Sequence, residues 1–184
     1  MRKPFKLTYP PALYPAWKRG RLHYKWFLQY RNTFDKDDLR IVRNQHLDGK
    51  HFGEWFTAIH YAKKGYGVLV EKYMYGIHSG IHCRKRGFIT EILGEYRLKQ
   101  LRKWEERYRS QPPDLFVFKG KDYFFVEVKR DRDFLRDHQK AHFKTIEKEL
   151  GCRVVIIDLQ PMRHPAPDNP PAVGRANSSG TQAL

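Results

Sequence analysis

Cysteine is nearly absent: Cys83 and Cys152 are the only two among 184 residues. That excludes the dense disulfide framework of a small secreted domain and fits a reducing compartment. Long apolar runs are missing as well. No stretch approaches the ~20 apolar residues needed to cross a bilayer, and the opening MRKPFKLTYPPALYP is interrupted by Pro4, Pro10, Pro11 and Pro15 where a secretory signal would be uniformly apolar. A cytoplasmic chain with no membrane partner is the expectation. Acidic side chains are also in short supply, 20 against 36 Lys and Arg, for a net charge of +16 and a pI near 9.9. So large an excess is the electrostatic footprint of a protein that meets polyphosphate, which makes nucleic acid the expected partner.

What is present is enough to fold. Hydrophobic residues make up 40% of the chain and aromatics 15%, too apolar a composition for a wholly disordered polymer, and the length suits one core plus appendages. The charge is unevenly spread. Residues 1–50 carry 12 Lys and Arg against 4 Asp and Glu, residues 51–110 carry 12 against 6, and residues 111–159 carry 10 against 9. The first 110 residues therefore read as a grip on an anionic partner and the balanced stretch as the place for chemistry.

Three regions follow. Residues 1–50 interleave Lys and Arg with Phe5, Tyr9, Tyr14, Trp17, Tyr24, Trp26, Phe27, Tyr30 and Phe34. This is a basic aromatic arm that either stacks on bases or packs on the core. Residues 51–159 hold the legible periodicities, with an insertion at about 74–111. Beyond Leu159, five prolines and a Gly, Ser, Ala and Asn run give residues 160–184 the composition of a disordered tail.

Within the middle region, Trp55, Ile59 and Ala62 recur at helical spacing before Gly65, and Tyr66 to Tyr73 is rich in strand formers. Apolar residues from Ile89 to Tyr108 fall on one face of a long helix closed by Pro112 and Pro113. Asp114-Leu-Phe-Val-Phe, a turn at Lys119-Gly-Lys-Asp and Tyr123-Phe-Phe-Val-Glu-Val-Lys129 read as a β-hairpin. Asp133 is placed to cap the next helix, whose apolar positions include Phe134, Leu135, Phe143, Ile146 and Leu150 before Gly151, and Val154 to Ile157 suit a strand buried on both faces. The predicted fold is α/β: a mixed central sheet flanked by helices in the order αβββαβ, with a helical insertion.

Chemistry concentrates in the hairpin. Strand side chains alternate, so Glu127 and Lys129 share one face while Val126 and Val128 take the other. A carboxylate and an amine on an otherwise apolar strand are costly to bury without partners. Asp114 on the adjacent strand, Glu127 and the Val128 carbonyl together form a hard oxygen set suited to Mg²⁺ or Mn²⁺. Lys129 could then orient or deprotonate a water, or steady a phosphate.

The spelling PPDLFVF…YFFVEVK, followed by a helix bearing Gln139 and by GCRVVIIDL, resembles the PD-(D/E)XK nuclease superfamily and looks most like its VRR-NUC branch. The resemblance covers 112–159 well. It extends to 51–73 through Gly53-Glu54-Trp55, which looks like the opening of the superfamily's first core helix. It implies a restriction-endonuclease-like core and Mg²⁺- or Mn²⁺-dependent hydrolysis of DNA, structure-selective as in that branch. The implied catalytic set is Glu54, Asp114, Glu127, Lys129 and Gln139, with the metal on Asp114, Glu127 and Val128. Among nucleases, a restriction or transposon-end enzyme is an open alternative; the main rival is a non-catalytic nucleic-acid-binding protein on the same fold, against which the intact Asp114, Glu127 and Lys129 weigh. RNA is not excluded, and cutting two strands would require a homodimer.

For the grip, Arg84, Lys85 and Arg86 form a basic patch beside glycines, and Lys63 and Lys64 add two more cations. His78, His82 and Cys83 lack the fourth ligand of a structural zinc site. His138 and His142 stand four apart on a helix without the carboxylate of a zinc-protease motif.

Overall fold

The computed structural model describes residues 3–70, 73, 83–131 and 133–162, with Cys83 and Arg84 described in their backbone alone. A five-stranded mixed sheet forms its centre. The strands are β1 (Phe5–Tyr9), β2 (Gly67–Val70), β3 (Leu115–Lys119), β4 (Asp122–Arg130) and β5 (Val154–Pro161), in the spatial order β1-β5-β4-β3-β2. β3 runs antiparallel to both of its neighbours, β2 and β4, while β5 lies parallel to β4 and β1 parallel to β5. Six helices accompany them: α1 (Leu13–Lys18), α2 (Leu22–Gln29), α3 (Lys36–Gln45), α4 (Phe52–Ala62), α5 (Cys83–Tyr108) and α6 (Asp137–Leu150). From α4 to β5 the order is the expected αβββαβ with α5 inserted after β2. Among the described residues no helix is long and apolar enough to cross a membrane.

Alternation along the strands divides the core into two layers. Phe124, Val126 and Val128 of β4, with Leu115 and Val117 of β3, meet α4 and the N-terminal helices through Phe52, Trp55, Ala58 and Ile59. Phe116 and Phe125 face the other way, onto Ile89 and Leu101 of α5 and Phe143 and Ile146 of α6. Glu127 and Lys129 share the parity of Phe125 and so belong to the α5–α6 face.

The first 50 residues are not a separate arm. β1 extends the sheet, pairing Leu7 with Leu159, and Trp17, Trp26 and Phe34 are buried in the α4 layer. Phe34 stacks on Trp55 with ring centroids 3.8 Å apart, and the Trp17 indole N–H donates to Lys50 O at 3.0 Å. Most of the arm's aromatics are therefore packing groups, because a sheet face with one covering helix leaves apolar surface that these rings fill. Tyr24 is exposed.

Local differences have local causes. α5 is interrupted at Gly94, whose φ of 79° and ψ of 154° no helix accommodates. α6 begins later than Asp133: Arg136 is its N-cap, with Gln139 in the first turn accepting from the Arg136 N–H at 3.2 Å. Phe134 is accordingly 72% exposed instead of lying on the helix's apolar face. β5 continues to Pro161, and the Met162 N–H donates to Tyr9 O at 2.8 Å, so the ordered chain passes the expected boundary at 160. Residues 163–184, the rest of the predicted tail, lie outside the described residues.

Candidate active site

Glu127 is 4% exposed although it carries a carboxylate. Two donors converge on its Oε1: Lys129 Nζ at 2.9 Å and Gln139 Nε2 at 3.0 Å. Lys129 also approaches Asp133 Oδ2 at 3.3 Å. From the neighbouring strand, Asp114 Oδ2 accepts the N–H of Val128 at 2.7 Å. Asp114 directly precedes Leu115, which pairs with Val126, so it stands opposite Glu127 where β3 and β4 begin to part. Four of the predicted residues, Asp114, Glu127, Lys129 and Gln139, are thereby brought together around the Val128 peptide. Gln139 joins them because it occupies the first turn of α6, where one amide both caps the helix and reaches the strand.

The electrostatics are those of an under-compensated anionic site. Burial pushes the Glu127 carboxyl above its usual range, and Lys129 only partly offsets this. Burial pulls Lys129 downward, yet the Glu127 and Asp133 carboxylates reverse the effect and leave it raised. Lys129 therefore keeps its proton. The buried Tyr73, which donates to Pro113 O, has its phenol pushed well up, first by burial and then by Asp114 and Glu127. Sequence reasoning missed Tyr73 and Asp133, since neither residue type nor spacing sets them apart from ordinary strand and loop residues.

Asp114 and Glu127, with the Val128 carbonyl between, are the groups that could hold a small hard cation, and Mg²⁺ commonly takes one or two carboxylates and keeps its remaining ligands as water. Among the described residues, however, no three His, Cys, Asp or Glu side chains converge as a metal-binding cluster. Glu54 is half-buried in the first turn of α4, and its neighbour Gly53 lies so close to β4 that an added Cβ would sit 3.1 Å from Val128 Cγ1. Glu54 thus sits at the level of the motif but on the helix packed against the opposite face from Glu127.

The predicted grip fares differently. Lys85 is fully buried, forming an ion pair with Asp38 and donating to Val70 O at 2.5 Å. It is therefore no phosphate contact: a cation held by a buried carboxylate between α3 and α5 cannot meet a strand in solvent. Arg86 is half-buried and 3.4 Å from Glu95. Lys63 and Lys64 are exposed at the far end of α4, ten residues or about 15 Å along the helix from Gly53. The side chains of Cys83 and Arg84, and all of His78 and His82, lie outside what the structure describes. His138 is exposed and His142 buried, so they do not form a ligand pair.

No family model matches the chain, and no curated protein matches it. Among solved structures it is similar to paFAN1, crystallised with a 2-nucleotide 5′ flap DNA containing a gap. The identity is 22%, the match covers 71% of this chain and 25% of that one, and the TM-score is 0.29. This chain thus spans about a quarter of that protein's length. A superposition so loose adds nothing to the geometry already described.

Proposed function

We propose that this protein is a divalent-metal-dependent nuclease that hydrolyses DNA phosphodiester bonds. The observation that carries the reading is Glu127, a carboxylate buried on an apolar strand, held by Lys129 and Gln139 and flanked by Asp114 on the adjacent strand. A non-catalytic scaffold gains nothing from burying such a group, which costs several kcal/mol unless its charge is used or compensated. The +16 net charge supports a polyanionic substrate.

In this reading Asp114, Glu127 and the Val128 carbonyl would hold Mg²⁺ or Mn²⁺. The bound ion would supply Lewis-acid polarisation of a phosphoryl oxygen and a water of lowered pKa. Lys129, kept protonated by its carboxylate neighbours, offers a fixed positive donor to the phosphate as negative charge builds on it. Gln139 holds Glu127 in one rotamer. Asp114 anchors the peptide between the two motif residues, so the strand cannot shift as the substrate docks.

Labelled linear, flapped and four-way DNA, with single-stranded RNA in parallel, should be incubated with the full chain and Mg²⁺. Cleavage is expected in Mg²⁺ or Mn²⁺, with binding but no turnover in Ca²⁺. Undiminished cutting in excess chelator would refute the metal assignment, a Glu127→Gln protein that cuts at the normal rate would refute Glu127 as the active centre, and no cutting by the wild-type chain would end the nuclease reading. The substrates cut would also distinguish structure-selective cleavage from a restriction or transposon-end activity.

A further inference from the structure

A groove of about 750 Å³ runs between the second half of α5 and the C-terminal turns of α6. Tyr96, Gln100, Trp104 and Arg107 line it from α5 at successive helical turns, and Thr145, Lys148 and Glu149 line it from α6. Leu98 and Leu101 hold α5 to the core, and Trp104 packs partly against the same cluster while Tyr96 stands out in solvent. The groove's chemistry is mixed in a particular way. Tyr96 is 75% exposed and Trp104 half-exposed, while Arg97, Arg107 and Lys148 bring three cations against the carboxylate of Glu149, which Lys148 approaches at 3.7 Å.

The groove is tied to the candidate active site. At its near end the Tyr108 hydroxyl and Thr145 Oγ1 are 2.8 Å apart, joining the two helices. Thr145 follows Gln139 by six residues on the same helix, about 9 Å along its axis. At its far end Arg97 reaches the Tyr123 hydroxyl at 3.4 Å. The groove and the Glu127 site thus share α6, on faces about a third of a turn apart.

We infer that this groove binds a single strand of nucleic acid, with bases stacked on Tyr96 and Trp104 and phosphates on Arg107 and Lys148. The inference deepens the nuclease proposal and rests on it. Rings interleaved with cations at helical spacing suit a single strand, because each base offers a face to stack and each phosphate a charge to neutralise. A duplex keeps its bases stacked internally and could use the cations alone. An acidic peptide could likewise use only the cations.

Binding of a 12-nucleotide single strand carrying 2-aminopurine can be measured by anisotropy and fluorescence, on the Glu127→Gln protein without divalent metal, so that no cleavage intervenes. Tyr96→Ala with Arg107→Gln, both at exposed positions, should weaken single-strand binding by about 10-fold or more and diminish the 2-aminopurine quench. Arg107→Gln alone should flatten the slope of log affinity against log salt by about 0.7. Duplex of the same sequence and polyglutamate serve as comparators. Unchanged single-strand affinity in the folded double variant overturns the proposal, as does an equal loss for duplex or polyglutamate. Absence of any cleavage by the wild-type chain, with the single-strand loss intact, would sink the nuclease reading and leave the groove standing.

Discussion

Asp114 Oδ2 accepts the backbone N–H of Val128 at 2.7 Å, so the carboxylate that precedes β3 is fastened to the peptide lying between Glu127 and Lys129. The two ends of the motif are thus one hydrogen-bonded unit. Asp114→Asn retains an oxygen acceptor for that N–H and removes the charge; it should leave the fold within about 1 kcal/mol of wild type and abolish cleavage. Asp114→Ala removes both and should cost a further 1–3 kcal/mol or so by leaving the Val128 N–H unsatisfied. Urea denaturation of the two variants separates the effects, and equal stability would show that the bond contributes nothing.

Gln139 donates to Glu127 Oε1 at 3.0 Å, which in the nuclease reading makes it a positioning residue. Gln139→Leu should lower the cleavage rate by roughly 10–100-fold, as loss of a ligand-orienting partner commonly does. It should also raise the Mg²⁺ concentration needed for half-maximal activity. A Mg²⁺ titration that overlays the wild type would remove Gln139 from the machinery.

The buried Lys85–Asp38 pair ties the insertion helix to α3. Asp38→Asn would strand a buried cation and should destabilise the protein by about 3–5 kcal/mol, whereas Asp38→Leu combined with Lys85→Met should be close to neutral. Chemical denaturation of both tests this. Comparable losses in the single and double variants would mean that the side chains' shapes matter more than their charges.

Two buried groups should give opposite pH dependences. Burial holds the His142 pKa down to about 4, against a slight upward pull from the Gln111 backbone. The unfolded chain therefore takes up a proton below its ordinary 6.5 that the native state refuses, and stability falls as pH drops from about 6.5 to 4. Burial raises Asp38 to about 6 in spite of Lys85, so between about 6 and 3.8 the native state holds more protons and gains stability as pH falls. Replacing His142 by Phe, which can keep the stack on Tyr108, should remove the first slope. The variant should then lose less stability than wild type between pH 7 and 5 in paired urea titrations; parallel pH profiles would show that His142 titrates normally.

The hairpin was legible because its signals are local. Alternation decides that Glu127 and Lys129 share a face, whatever surrounds them, and Pro112 and Pro113 mark where the preceding helix must stop. The same locality misled at Asp133 and Phe134, where a plausible cap and apolar start were outcompeted by Arg136 and Gln139, whose amide gains a second bond to Glu127. A helix start can be displaced by a contact 12 residues away that no local window contains.

The sequence by itself determined the order of core elements, the α/β class, and the association of Asp114, Glu127 and Lys129, since each follows from side-chain period, turn chemistry and strand adjacency. The tertiary structure alone decided which cations face solvent and what the first 50 residues do. Lys85 reads as part of a basic run, yet burial beside Asp38 makes it a structural ion. Trp17, Trp26 and Phe34 read equally as stacking platforms or core, and they became core because α4 leaves apolar surface on its side of the sheet uncovered. Charge and aromaticity are properties of a residue, while exposure is a property of everything packed around it.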